Sequence, residues 1–224
     1  MVKSVEYFLK NKSGLIFTDQ MRILFKGVID PIAAFFNGLG ISPNAMTIIG
    51  LCGNAIGAVF IAFGWVTVGG IIILFTAPLD ALDGSMARLR GQARTDSSPS
   101  FGAFFDSVID RYAELLLFGG LVIYYTQLGQ WLGVALAYAS AAGSLLVSYT
   151  RARAQSLGIE TKIGILSRLE RYIILVPTLI FNIPLVGLSI LAIFANITAI
   201  QRIVDVYRQM QARALSESSE HSSL

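Results

Sequence analysis

Residues 80–110 read DALDGSMARLRGQARTDSSPSFGAFFDSVID and decide the fold, because they place acidic residues beside long apolar runs. Four aspartates in this stretch form two pairs, Asp80 with Asp83 and Asp106 with Asp110. On helices, side chains three or four residues apart project from one face, so each pair would share a face. Two such faces brought together would form a cup of four carboxylates. We expect the cup to hold cations, because like charges would otherwise repel one another.

The composition of the chain is typical of a membrane protein. Of its 224 residues, 54% are hydrophobic and only 14% are charged, whereas a soluble domain has roughly 25% charged residues. The apolar residues occur in runs rather than at amphipathic spacing. The net charge of +3 is too small to indicate nucleic acid as a partner. The single cysteine, Cys52, excludes a disulfide within the chain and is predicted to be a buried small side chain.

We predict an all-α polytopic membrane protein with six transmembrane helices, each close to the ~20 apolar residues that a bilayer requires. Their approximate limits are 44–63, 67–90, 102–125, 131–154, 170–185 and 187–208.

An amphipathic helix is predicted before these spans. It would begin at Thr18 or Asp19 and end at Asn37, lying along the membrane interface, and Pro31 is expected to break or kink it. The predicted organisation has three parts. They are an N-terminal segment with this helix (residues 1–40), a six-helix transmembrane catalytic domain (41–210) and a disordered polar tail (211–224).

The distribution of basic residues predicts the orientation in the membrane. With six helices and both termini on one side, all 17 Lys and Arg residues fall on that side. The connections near residues 64–66, 126–131 and 182–186 carry none of them. The positive-inside rule then places both termini and the acidic cup on the cytosolic side of the plasma membrane. Trp65 and Trp131 would mark the opposite interface.

The acidic stretch also carries residues suited to a phosphate ligand. Carboxylates suit hard cations such as Mg²⁺ or Mn²⁺, and four can hold two ions for displacement at phosphorus. Gly84 and Ala87 share a helical stripe with the first aspartate pair and would let a flat polar ligand approach the backbone. Arg88 supplies a positive charge for phosphate oxygens. The alternative, that each aspartate only pairs with a nearby arginine, is disfavoured by four carboxylates at these spacings.

The aspartates and their neighbours form a pattern known from one enzyme family. The pattern is Asp80-x-x-Asp83-Gly84-x-x-Ala87-Arg88, then Gly102-x-x-x-Asp106-x-x-x-Asp110. It resembles the signature of the CDP-alcohol phosphotransferases, which are integral membrane enzymes of phospholipid synthesis. The stretch between the arginine and the second glycine is longer here than in the family pattern, and its extra residues lie in the loop-like segment 91–100.

The resemblance implies transfer of the substituted phosphate of a CDP-linked lipid, CDP-diacylglycerol or an archaeal equivalent, to an alcohol, with release of CMP. It implies that Asp80, Asp83 and Asp106 are ligands of two divalent cations, Mg²⁺ or Mn²⁺. Asp110 would be a ligand that also acts as the general base. The family is commonly dimeric, so a homodimer in the bilayer is expected.

A nucleotide pocket is also implied by the resemblance. The segment around Asn44 and Thr47 resembles one that precedes the first spanning helix in many members and can approach the nucleotide. Its alternative interpretation is a helix cap at Ser42 or Asn44 with Pro43 at the helix start. The nucleotide-binding residues expected from the resemblance are Asn44, Thr47, Gly84, Ala87, Arg88 and Gly102.

A second basic cluster bears on the acceptor alcohol. Arg151, Arg153, Arg168 and Arg171 lie around the connection between the fourth and fifth predicted spans. Part of this excess is explained by contact with anionic lipid, but converging guanidinium groups would bind an acceptor that carries its own phosphate. The sequence around these arginines looks like that of phosphatidylinositol phosphate synthases and their archaeal relatives, which implies inositol phosphate as the acceptor. Glycerol 3-phosphate is the next candidate.

The alternative function from another class is ion-coupled transport. An ion-coupled transporter would place acidic residues near the membrane midplane and would have discontinuous helices or an inverted repeat. Here the acidic residues cluster towards one interface, and no long repeat is evident in the sequence. The sequence therefore favours an enzyme.

Overall fold

A computed structural model describes residues 17–91, 101–161 and 163–221, with the backbone alone at residues 17–26, 28, 80 and 216–221. These described residues are mainly helical. The helices are α1 (Phe17–Gly38), α2 (Pro43–Ala62), α3 (Val66–Thr76), α4 (Leu79–Leu89), α5 (Phe101–Gln127), α6 (Trp131–Ser156), α7 (Arg168–Ile180) and α8 (Pro184–His221).

Four helical stretches in the described part are long and apolar enough to cross a membrane. They are α2, α3 together with α4, α6, and residues 184–215 of α8. The predicted all-α class with several membrane-spanning helices is therefore confirmed. Helix α5 is not in this set and carries several charged residues in its first half, and α7 is only 13 residues long.

The predicted span over residues 67–90 is two helices rather than one. The chain turns at Ala77 and Pro78, between α3 and α4. A proline has no N–H to donate and its ring clashes with the preceding helical turn, which explains the interruption. The break begins a new helix, α4, that carries the first pair of aspartates.

Helix α1 packs against α4. It continues through Pro31, where the sequence predicted a break or kink. The Ser85 hydroxyl of α4 donates to the Asp30 carboxylate, and the Asn37 side chain donates to a backbone carbonyl of α4. Ala33 is fully buried in the same contact. These contacts on both sides of the proline outweigh its unfavourable helix propensity.

Helix α2 contacts α3, α4 and α5. A Cβ at Gly53 would lie 2.2 Å from the Thr76 methyl group, and one at Gly120 would lie 2.5 Å from the Ala58 carbonyl oxygen. Only glycine permits these close approaches. Cys52 is exposed rather than buried as predicted, because its side chain points away from these helix contacts.

The last helix extends beyond its predicted end. Helix α8 continues to His221, whereas the sequence predicted a span ending near residue 208 and a disordered tail over 211–224. The Gln211 amide donates to the Tyr207 hydroxyl at 2.7 Å, and Arg213 donates to the Gly158 carbonyl at 2.7 Å. These contacts, in a stretch without glycine or proline, explain the longer helix.

Candidate active site

The first turns of α2 lie between the segments that carry the two aspartate pairs. The Ser42 hydroxyl caps the helix by accepting a hydrogen bond from a backbone N–H of the first turn, at 3.1 Å. Asn44 and Thr47 follow on one helix face. Thr47 contacts Asp83 of α4, and a Cβ at Gly102 of α5 would lie 3.5 Å from the Asn44 side-chain oxygen. One face of α2 therefore touches both α4 and α5 at this site.

The contact between Thr47 and Asp83 is buried. Their exposed fractions are 2% and 6%, and the Thr47 hydroxyl donates to Oδ2 of Asp83 at 2.5 Å. The Pro43 carbonyl oxygen lies 3.1 Å from the same hydroxyl, but a hydroxyl has one proton to donate. A charged acceptor makes the stronger bond, so this proton orients the carboxylate. The sequence placed Thr47 at the nucleotide, and in the structure its hydroxyl also contacts a predicted metal ligand.

Each aspartate pair lies on one helix, as the spacing predicted. Asp80 and Asp83 belong to α4, and Asp106 and Asp110 belong to the first turns of α5. Among the described side chains, which exclude that of Asp80, no three acidic, histidine or cysteine groups meet closely enough to hold an ion. The donors offered by these helices are carboxylate oxygens, the ligand type that Mg²⁺ and Mn²⁺ prefer, so the residues present fit such cations.

The other signature residues of α4 leave space beside its backbone. Gly84 is half-buried, and the nearest group that a Cβ there would meet is Nη1 of Arg88, at 3.7 Å. Ala87 is half-buried and Arg88 is exposed. The predicted extension of the loop over residues 91–100 lies outside the described residues, apart from Gly91.

The structure brings Arg168 of α7 to Asp110 of α5. Nη1 of Arg168 lies 2.6 Å from Oδ2 of Asp110, and the two side chains are 30% and 14% exposed. The guanidinium also stands over the Tyr172 ring, 5.5 Å from its centre. A predicted acceptor arginine and the predicted general base are thus in direct contact.

The remaining predicted acceptor arginines differ in their surroundings. Arg151 and Arg153 are exposed at the end of α6, and Arg153 lies 3.3 Å from the Ser156 hydroxyl. Arg171 is buried, and its Nε and Nη2 donate to Oε1 of Glu114 at 3.0 and 2.7 Å. The side chain of Arg171 is therefore engaged inside the protein rather than turned towards a small ligand.

Three polar residues near the site were not singled out from the sequence. They are Glu114, Thr198 and Arg202, which are all buried. Thr198 accepts hydrogen bonds from two backbone N–H groups of residues 165–166, and Arg202 donates to carbonyls of that same connection and of α6. The sequence did contain a signal for these residues, because each is a polar or charged side chain within an apolar span. Such side chains are energetically unfavourable in a membrane unless they are paired or functional.

The chain is similar to known proteins over most of its length. A profile of the CDP-alcohol phosphatidyltransferase family matches residues 40–207. A phosphatidylinositol phosphate synthase from Streptomyces avermitilis is 33% identical over 218 residues, covering 90% of this chain and 87% of the relative. An archaetidylinositol phosphate synthase from Pyrococcus horikoshii is 33% identical over 193 residues, covering 86% of this chain and 97% of the relative.

Solved structures of the phosphatidylinositol phosphate synthase of Mycobacterium tuberculosis are also similar. The form in complex with manganese and citrate superposes with a TM-score of 0.72 and 29% identity, over 80% of this chain and 88% of that one. The form with CDP-diacylglycerol bound has a TM-score of 0.71 and 28% identity, over 80% of this chain and 94% of that one. The likeness therefore extends from the sequence signature to the arrangement of the helices.

Proposed function

Because this chain belongs to the CDP-alcohol phosphatidyltransferase family, we propose that it transfers the phosphatidyl group of a CDP-linked lipid to inositol phosphate, releasing CMP. The donor is CDP-diacylglycerol or an archaeal ether-lipid equivalent, since the similar proteins include a phosphatidylinositol phosphate synthase and an archaetidylinositol phosphate synthase. The enzyme class is that predicted from the signature. The acceptor is proposed from the basic cluster and from the names of the relatives.

The observation that carries the proposal is the 2.6 Å contact between Arg168 and Asp110. A phosphate bound by Arg168 would hold its alcohol next to the carboxylate that takes up the hydroxyl proton. Arg151 and Arg153, exposed on the neighbouring helix end, would add positive charge to the same side. An unphosphorylated alcohol would leave these guanidinium groups without a ligand, which favours a phosphorylated acceptor.

We assign Asp80, Asp83, Asp106 and Asp110 as the residues that would hold two divalent cations, Mg²⁺ or Mn²⁺. Such cations, when bound, neutralise the diphosphate of the donor and make the acceptor hydroxyl easier to deprotonate. Thr47 keeps the Asp83 carboxylate oriented through its hydrogen bond.

The nucleotide end of the donor is assigned to the faces of α2 and α4. Asn44 and Gly102 lie together at one edge of this region, and Gly84 and Ala87 leave room for a ligand to approach α4. Arg88 would bind the diphosphate oxygens with its exposed guanidinium.

The chemical step follows from these positions. The acceptor hydroxyl oxygen attacks the phosphorus that carries the lipid, a new P–O bond forms, and the bond from that phosphorus to CMP breaks. Asp110 takes the hydroxyl proton, and the electron pair of the broken bond leaves with CMP. Arg168 and Arg88 remain bound to the acceptor phosphate and to the donor diphosphate and hold the two reactants in line.

We further propose that α5 and α7 are the third and fifth of six spans, with both termini and the active site in the cytosol. The Thr67 hydroxyl of α3 donates to the Ile180 carbonyl at 3.1 Å, so two of the three connections without basic residues lie at one end of the bundle. Exposed aromatic rings, among them Trp65 and Trp131, occur at these connections, as expected for a membrane interface. The apolar faces exposed on the spans would contact lipid and a second copy in a homodimer.

A kinetic comparison of Arg168→Gln with the wild type tests the acceptor assignment. The variant should raise the KM for inositol phosphate by one to two orders of magnitude and change the KM for CDP-diacylglycerol about twofold or less, because a charge-assisted contact is worth about 1.5–3 kcal/mol. Arg213→Gln, which removes an exposed arginine bound to a backbone carbonyl, is the matched control. An unchanged KM for inositol phosphate in the Arg168 variant would contradict the assignment.

A further inference from the structure

The buried ion pair between Glu114 and Arg171 involves an arginine that the sequence assigned to the acceptor phosphate but that the structure turns towards Glu114. Glu114 of α5 is 5% exposed and Arg171 of α7 is 2% exposed. Two nitrogens of Arg171 donate to one oxygen of Glu114, at 3.0 and 2.7 Å. Burying two charges is costly even when they pair, so stability alone does not account for such a contact.

This pair is more buried than a second ion pair that joins α5 and α7 in the described part of the chain. The second pair joins Arg168 to Asp110. Asp110 and Glu114 are four residues apart on α5, and Arg168 and Arg171 are three apart on α7, so each couple shares a helix face. Helix α7 packs along α3 and α8. The two ion pairs link α7 to α5 as well, and they hold its position along that helix.

The chain that leads into α7 is also fixed. Thr198 accepts hydrogen bonds from two backbone N–H groups of this connection, and Arg202 donates to a carbonyl within it. Gly164 has φ +128, and a Cβ there would lie 2.3 Å from the Thr198 methyl group. The connection is thus held against α8, and Arg171 is held against α5. Arg168 lies between these two points of attachment.

We propose that Glu114 and Arg171 are positioning residues that hold α7 in the register in which Arg168 reaches the acceptor phosphate beside Asp110. This inference rests on the proposed function, because that function assigns the acceptor phosphate to Arg168. A guanidinium binds phosphate well only in a narrow range of positions, and a displacement of about 1 Å can cost on the order of a hundredfold in rate. Glu114 and Arg171 therefore set the KM for the acceptor without touching it.

A double-mutant cycle separates positioning from direct contact. Glu114→Gln should raise the KM for inositol phosphate by about tenfold or more and leave the KM for CDP-diacylglycerol within about twofold. In an Arg168→Gln background the same Glu114 substitution should have little further effect, because the residue that it positions is gone. An unchanged KM in Glu114→Gln, or full additivity in the double variant, would overturn the proposal.

A double variant that replaces both buried charges, called the neutral pair, separates loss of positioning from the cost of an unpaired buried charge. Glu114→Gln alone leaves the buried guanidinium without its counter-ion, whereas Glu114→Gln with Arg171→Gln removes both charges and retains a possible hydrogen bond. If Glu114 and Arg171 act by positioning, the KM for inositol phosphate should be lower in the neutral pair than in Arg171→Gln. If Arg171 bound phosphate itself, the neutral pair would be as defective as Arg171→Gln. Failure of all these variants to fold would make the pair a stability element and overturn the proposal.

Two controls keep this test independent of the proposed function. Arg208→Gln removes an exposed arginine of α8 that is assigned to neither substrate and should leave both KM values unchanged. Wild type is first assayed with inositol phosphate and with glycerol 3-phosphate. Turnover with glycerol 3-phosphate alone would contradict the proposed acceptor, and the cycle run with that substrate would still test whether Glu114 acts through Arg168.

Discussion

Replacing Thr47 by valine removes one hydroxyl from the candidate site at nearly constant volume. In the structure this hydroxyl donates to Oδ2 of Asp83 at 2.5 Å, and both side chains are at least nine-tenths buried. A hydrogen bond to a charged group contributes about 1.5–3 kcal/mol, which corresponds to about one to two powers of ten in an equilibrium constant. Loss of a bond that orients a metal ligand typically weakens metal affinity by about 10–100-fold. The free energy of the hydrogen bond and the typical loss of metal affinity therefore predict an effect of the same size.

The assay is CMP release from CDP-diacylglycerol and inositol phosphate as a function of Mg²⁺ concentration. Thr47→Val should shift the half-saturating Mg²⁺ concentration upwards by about tenfold or more, and Thr47→Ser, which keeps the hydroxyl, should stay close to wild type. Thr126→Val is the matched control, because Thr126 donates only to a carbonyl of its own helix. A Mg²⁺ dependence of Thr47→Val equal to that of wild type would refute the role assigned to this hydrogen bond.

The remaining predictions concern the base, the packing and the topology. Asp110→Asn should reduce CMP release by about two to four powers of ten in a protein that still unfolds cooperatively, and full activity would exclude Asp110 as the base. Gly120→Ala should destabilise the protein by about 1–3 kcal/mol, since its Cβ would meet a backbone carbonyl of α2, whereas Gly119→Ala, with open space, should not lower the melting temperature. In a cysteine-free background, a cysteine at Gln127 should react with an impermeant reagent added outside cells and one at Ser156 should not; the reverse pattern would contradict the proposed orientation.

The family and the helical class were predictable because their signals are local. The spacing of Asp80, Asp83, Asp106 and Asp110 is a property of short stretches, and the apolar runs identify membrane helices without knowledge of their partners. Both predictions are confirmed by the family match and by the helices. The turn at Pro78 also has a local cause, although the apolar run around it favoured one continuous helix.

The partners of individual side chains were not predictable from one sequence. Arg171 appeared equivalent to Arg168, because both lie in one helical turn after a basic connection. Their difference depends on Glu114, which is 57 residues away from Arg171 in sequence and accepts two hydrogen bonds from it. Likewise, nothing in the segment around Thr47 shows that its hydroxyl meets Asp83, 36 residues away. Such pairings arise from helix packing, which local patterns do not encode.

The acceptor preference is the most direct test of the central claim. Purified protein in CDP-diacylglycerol vesicles with Mg²⁺ is offered inositol phosphate, glycerol 3-phosphate, inositol and serine in parallel, and the lipid products are identified by mass. We expect the phosphatidyl product of inositol phosphate, formed with one CMP for each lipid, and little product from the two unphosphorylated alcohols. A lipid product formed only from free inositol or serine would contradict the account.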